Sequence, residues 1–140
     1  MSDAMSRTGA CHCGGVRFTV DLPQELRGAR CNCSMCSMKG VTMVAAPIDA
    51  LRIIAGEDLL STYQFNTMAA KHRFCSRCGI HVYHQRRADT RQVGVNVACL
   101  DGVSPYDFAE VPVMDGVNHP LDNGCRFRRA GILRFEAGED

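Results

Sequence analysis

The feature that most constrains this chain is its cysteine pattern: nine cysteines in 140 residues, seven of them in three tight groups. The groups are Cys11-His12-Cys13, Cys31-Asn32-Cys33-Ser34-Met35-Cys36 and Cys75-Ser76-Arg77-Cys78-Gly79. An odd number of thiols cannot close into a complete disulfide framework, and such short spacings match metal ligation instead. Ligation then limits the fold, because segments far apart in sequence must meet around one ion.

In an extended strand, positions i and i+2 project to the same face, so Cys11 and Cys13 can reach one ion while His12 points away. The group Cys75 to Gly79 has the spacing of a zinc knuckle, in which a tight turn brings two thiolates together and Gly permits the backbone geometry. A knuckle needs two further ligands, and the Cys11 and Cys13 clamp supplies them, giving a closed four-thiolate site of structural type. Cys31, Cys33 and Cys36 offer three thiols, the number typical of a zinc that keeps a position for water or substrate. Spacing does not fix connectivity. Cys99, Cys125 or one of the five histidines could complete the second site, and the clusters could be shared differently. Zinc, two ions per chain, is the expected cofactor.

Net charge is +1, from 16 Lys and Arg against 15 Asp and Glu, so there is no global field for a nucleic acid backbone or an anionic membrane. Of those cations 14 are Arg, which favours planar, multi-donor contacts to carboxylates. Residues Met1 to Thr8 lack the apolar segment of a secretory signal, and no run is long enough to span a bilayer as a helix. The expectation is a cytoplasmic protein whose first eight residues are flexible and whose residues 9–140 form a single domain.

Short strand-like pieces fill that domain. Val16, Phe18 and Val20 alternate with polar residues, while Val41 to Ala46, Leu51 to Ile54 and Ser61 to Phe65 are strand-length runs. Val93, Val95, Val97 and Cys99 share one face of a strand predicted over Arg91 to Leu100. Asp101 to Asn123, with three prolines, reads as a long irregular connection, and Arg126 to Arg129 with Ile132 to Phe135 as a closing hairpin around Gly131. The pattern is all-β, with short antiparallel strands stapled by metal.

The stretches GACHCGGVRF (9–18), RCNCSMC (30–36), FCSRCGIHVYH (74–84) and GVNVACLDGV (94–103) resemble the glutathione-dependent formaldehyde-activating enzyme family, the GFA or CENP-V/GFA domain. The resemblance implies a β-tent fold, a structural zinc at Cys11, Cys13, Cys75 and Cys78, and a second zinc at Cys31, Cys33 and Cys36. It also implies condensation of formaldehyde with glutathione to S-(hydroxymethyl)glutathione, formally a carbon-sulfur lyase reaction in reverse. A small thiol would then be the partner, with Arg86 and Arg87 as candidates to seat its carboxylates.

Other residues have plainer readings. Cys99, on an apolar strand face, is expected in the core, and Cys125 receives no role. His81 and His84, three apart on a strand, should face opposite ways and take ordinary exposed or hydrogen-bonded positions. Arg30, Lys39, Arg73 and Arg77 lie near the ligands in sequence, where a positive charge lowers a thiol's pKa and offsets a thiolate-rich zinc site, or they are solvated surface residues, which is the expectation for Lys39 and Arg77. Met35 and Met38 could wall the open site, and Asp115 or His119 could line a pocket or simply shape a turn. Two other functions compete: a non-catalytic zinc-stabilised binding module, with four protein ligands at both ions, and a redox protein related to methionine sulfoxide reductases, which would need a reactive cysteine outside the zinc sites.

Overall fold

The computed structural model describes residues 4–119, 121, 124 and 128–139. Eleven strands are present among them: β1 (Ala4–Ala10), β2 (Arg17–Pro23), β3 (Arg30–Cys31), β4 (Met43–Pro47), β5 (Leu51–Ala55), β6 (Leu60–Tyr63), β7 (Lys71–Cys75), β8 (His81–Gln85), β9 (Gln92–Asn96), β10 (Glu110–Met114) and β11 (Arg129–Arg134). The short helix α1 (Ser34–Lys39) and a few 3-10 turns accompany the strands. The strands form three sheets, ordered β1-β2-β5, β11-β10-β3 and β4-β9-β8-β7-β6. The fold is all-β, antiparallel except where β3 runs parallel to β10 at Arg30 and Cys31.

The core lies between the first and the five-stranded sheets. Alternation along β2 sends Phe18, Val20 and Leu22 inward, and they join Val16, Val44, Val82, Val93, Val95 and Val97 in one buried cluster. Full burial of such a side chain contributes about 1.5–3 kcal/mol, so β2 and β9 are the elements the domain can least lose. Cys11, Cys75 and Cys99 belong to the same cluster, which continues the core up to the first cysteine group.

Several elements differ from the sequence reading. Residues 4–8 are not a loose arm: all of β1 pairs with β2, from Ala4 opposite Pro23 to Ala10 opposite Arg17. An outer strand open to solvent can be polar, so it lacks the apolar alternation that would betray it. The strand at Arg91 to Leu100 stops at Asn96, whose side chain accepts a hydrogen bond from the Ala98 N–H and turns the chain into a 3-10 turn at Val97–Cys99. β10 lies inside the stretch read as irregular. Pro112 is tolerated there because β3 covers only Val113 and Met114, leaving the edge beside the proline open. Gly131 sits within β11 opposite Val113 rather than at a hairpin tip. Arg126 and Phe127, like Cys125, lie outside the described residues.

Gly56 ties this scaffold to the cysteines. It adopts a left-handed φ of 76° at the end of β5, and a Cβ there would run into the backbone carbonyl of Gly15, in the turn that carries Cys11 and Cys13. The 3-10 turn that follows, Glu57–Leu59, accepts the Ser76 N–H on the Leu59 carbonyl at 2.7 Å, bracing the second cysteine turn as well. Gly56→Ala therefore meets both backbone strain and a backbone collision. The expected loss is about 2 kcal/mol or more of folding stability, read as a lowered urea midpoint at unchanged slope.

Candidate metal centres

Two hairpin turns of similar construction bring the first four sulfurs together. Cys11 follows the end of β1, and its N–H bonds the Val16 carbonyl at 3.1 Å across a turn that contains Gly14 at φ 77°. Cys75 ends β7, its N–H bonds the Ile80 carbonyl at 3.0 Å, and Gly79 takes φ 78°. Cys13 and Cys78 sit within these turns, so the first pair is held by a turn rather than by the extended strand that i, i+2 spacing suggests. Cys11 Sγ and Cys13 Sγ are 3.5 Å apart, and Cys13 Sγ and Cys75 Sγ 3.8 Å. A tetrahedral zinc thiolate with bonds of about 2.3 Å has sulfur–sulfur edges of roughly 3.8 Å. All four sulfurs lie within 4.8 Å of one another, as a metal-holding group requires.

Hydrogen bonds prepare these sulfurs for negative charge. The Val16 N–H points to Cys11 Sγ at 3.3 Å. Arg77, which reads as a surface charge, instead folds over Gly15 and donates from Nε to Cys13 Sγ at 3.4 Å. The Gly15 amide and then this guanidinium pull the Cys13 thiol down to about 6.

The second group is built on a sharp change of direction. Cys31 ends the two-residue β3, Cys33 is the N-cap of α1 in extended conformation, and Cys36 lies within the helix. The Cys33 N–H points to Cys31 Sγ and the Cys36 N–H to Cys33 Sγ, each at 3.4 Å. Asn32 fastens this segment by accepting the Gly116 and Val117 N–H groups at 2.8 and 3.0 Å. Gly116 is pressed so close that a Cβ would strike Cys31 Sγ and crowd Cys33 Cβ. The three sulfurs also lie within 4.8 Å of one another, with no fourth Cys, His, Asp or Glu joining them among the described residues. Crowded thiols share protons. Donation from Cys31 and Cys36 holds the Cys33 thiol down to about 2, whereas the other two are pushed up. All three ionise together only with a cation between them, which is the chemistry of a metal donor set.

A cavity of about 200 Å³ opens beside this group, lined in part by Cys31, Cys36, Arg30, Arg86, Arg87 and His84. Val41, Met43 and Met114 supply its apolar wall. Met38 does not, because it lies on the outer side of α1 and is 88% exposed. His84 rests against Gly94 on the same wall, and its Nδ1 is buried without a hydrogen-bond partner among the described residues.

A further cluster was invisible to strand periodicity. His72 and His84 are register partners on β7 and β8, with rings stacked at 5.6 Å, and the His81 ring lies 6.2 Å from each. Strand parity places His81 and His84 on opposite faces. However, β8 carries an extra residue at Val82, between the pairs Phe74–His81 and Arg73–Tyr83, and this bulge returns both imidazoles to one side. Lys39, also expected at the surface, reaches into the cluster, with Nζ 3.1 Å from His72 Nδ1 and 3.3 Å from His81 Nε2. Burial, reinforced by the Lys39 charge, pushes His72 down to about 4, His84 to about 3 and His81 to about 2. The three imidazoles are neutral at physiological pH.

The remaining sequence candidates are structural where they are described. Asp115 accepts the Asn118 N–H and side-chain amide at 3.2 and 3.0 Å, and His119 Nδ1 accepts the Leu121 N–H at 3.1 Å, so both shape the loop after β10. Cys99 donates to the His81 carbonyl at 3.6 Å. Cys125 lies outside the described residues.

The model of the family described as glutathione-dependent formaldehyde-activating enzyme (GFA) matches residues 6–112, a span that includes both cysteine groups and the histidine cluster. The chain belongs to the GFA family. A curated relative from Halomonas elongata, whose name provisionally assigns glutathione-dependent formaldehyde activation, is 34% identical over 79 residues, half of each sequence. The chain thus spans about half the length of the curated relative it matches. The crystal structure of a Rhodobacter sphaeroides protein superposes with a TM-score of 0.70 at 44% identity, covering 76% of this chain and 98% of that one. No helix among the described residues is long and apolar enough to cross a membrane.

Burial pushes the Cys99 thiol up to about 12, far above its ordinary value of 9.0. It therefore stays protonated through neutral pH, and the thiolate needed for attack is scarce. Iodoacetamide at pH 8 should leave Cys99 unmodified in the folded protein and alkylate it fully in urea, as read by peptide mass spectrometry.

Proposed function

We propose that this chain is a zinc enzyme of carbon-sulfur lyase type, joining a small thiol such as glutathione to formaldehyde and reversing that step. The observation that carries the reading is the asymmetry of the two cysteine groups. One has four sulfurs, those of Cys11 and Cys75 set into the core, while the other has three sulfurs beside a cavity. Cys11, Cys13, Cys75 and Cys78 would hold a structural zinc, and Cys31, Cys33 and Cys36 a second one. When bound there, zinc supplies a vacant coordination position and lowers the pKa of a thiol that occupies it.

The residues of the chain do the rest. Val41, Met43 and Met114 exclude water from one side of the cavity, which strengthens electrostatic contacts within it. Arg30, Arg86 and Arg87 make the opposite character, a positive wall suited to the carboxylates of glutathione. In the forward reaction the thiol sulfur bonds the aldehyde carbon, the carbon–oxygen π bond opens, and the proton lost from sulfur is matched by one gained on oxygen. A cytoplasmic location fits nine cysteines kept as thiols or metal ligands.

Metal counting and catalysis together test this reading. Native mass spectrometry should find two zinc ions in the wild type and one in Cys31→Ser, with circular dichroism unchanged for that variant. Cys75→Ser should fail to fold stably. Gly116→Ala, which forces a methyl group against Cys31 and Cys33, should behave like Cys31→Ser. Exchange spectroscopy by NMR should show faster interconversion of glutathione and its hydroxymethyl adduct with the wild type, and the uncatalysed rate with Cys31→Ser and Gly116→Ala. Equal loss of fold in Cys31→Ser and Cys75→Ser would overturn the division of roles, and a wild-type rate no faster than the uncatalysed one would overturn the activity.

A further inference from the structure

Lys39 follows Cys36 by three positions on α1, so the two side chains leave the same side of the helix. The helix has no buried residue and is only six residues long, too short to hold itself in place by hydrogen bonding alone. Its one long cation nevertheless turns inward and is gripped at 3.1 and 3.3 Å by His72 and His81, both more than nine-tenths buried. The ammonium donates to His72 Nδ1 and His81 Nε2, which places the ring protons on His72 Nε2 and His81 Nδ1.

The choice of partners is informative. A lysine that merely pins a helix to a sheet is best served by a carboxylate, whose charge cancels its own. Imidazole nitrogens satisfy the donors and add no negative charge, so the positive charge of Lys39 remains available to its surroundings. Burial lowers the Lys39 pKa, and the groups that work against that loss of charge are Cys36, Cys33 and Cys31. Three thiolates around a divalent ion leave one net negative charge, and an incoming thiolate would double it. In a half-buried site that accumulation is costly unless a cation stands close by.

We propose that Lys39, held by His72 and His81, is a positioning residue that supplies the counter-charge allowing the three-cysteine site to accept an anionic thiolate in preference to a neutral ligand. The inference rests on the reading of Cys31, Cys33 and Cys36 as an open zinc site. Arg30, Arg86 and Arg87 line the cavity and would act on the carboxylates of a substrate held in it. Lys39 acts on the coordinating sulfur itself, so its effect should extend to thiols that carry no carboxylate.

The test uses the full chain loaded with Co2+, whose visible spectrum reports a change of ligand that zinc would not show. The four-cysteine site contributes a constant background. Two probes of similar size are titrated: 2-mercaptoethanol, which binds as a thiolate, and imidazole, which binds neutral. The wild type should bind both. Lys39→Met, which keeps length and removes charge, should weaken 2-mercaptoethanol binding by about tenfold or more and change imidazole binding by less than about twofold, while Lys39→Arg should restore most of the thiol affinity. Equal weakening of both probes in Lys39→Met, or loss of the second metal, would show a structural peg and overturn the proposal. So would unchanged thiol binding in that variant. If the wild type binds neither probe, the open site itself fails and the proposal falls with it.

Discussion

Mutual repulsion among crowded sulfurs is the constraint on which the rest of this structure depends. Seven thiols are gathered into two groups, each with sulfur atoms inside 4.8 Å, and such groups ionise together only around a cation. The fold is arranged so that backbone N–H groups and cations face these sulfurs: the Val16 amide and Arg77 at the first group, the Cys33 and Cys36 amides and Lys39 at the second. Four-sulfur ligation would close the ends of two hairpins onto each other. It would join β1, β2, β7 and β8, strands drawn from two different sheets, at the edge of the shared core.

The cysteine groups were legible in the sequence because ligand spacing is local chemistry: a short loop either can or cannot place two sulfurs on one ion. The strand that follows Val16 was legible because burial on one face writes a period of two into the residues, and those at Val44 and Leu51 because they are short runs rich in apolar and branched residues. β1 was not, since an outer strand open to solvent needs no such pattern; β11 was read in part, as Ile132 to Phe135 with a turn placed at Gly131, and β10 was hidden by Pro112, which reads as a breaker unless the short reach of β3 is known. The GFA resemblance covered the same cysteine groups that the spacing singled out, and it carried no information about which other side chains surround them.

The most consequential omission was the imidazole cluster. His72 lies on a different strand from His81 and His84, and only register shows that it stands opposite His84. The bulge at Val82 then reverses the parity that strand geometry assigns to His81. A single extra residue therefore decides whether His81 joins His72 and His84 or lies on the other face of the strand. Lys39 was misread for the same reason: its partners are 33 and 42 residues away. Sequence spacing can identify donors to a metal, but the groups that set the charge around it arrive through tertiary register.

The two groups also differ in how far a disturbance could spread. Cys11 and Cys75 are buried members of the hydrophobic cluster that contains Phe18 and Val95, so displacing them opens the region where most apolar area is lost from water. Cys31, Cys33 and Cys36 are half-buried on a two-residue strand and a helix with no buried residue, fastened mainly by Asn32, Gly116 and Lys39. A region with so few apolar contacts can rearrange locally without unfolding the domain. Ligand exchange at a metal requires that freedom, because one donor must arrive or leave while the others adjust. Anchoring of one group through buried Cys11 and Cys75 and looser attachment of the other three sulfurs are thus two solutions to one problem, set by how each group is tied to the core.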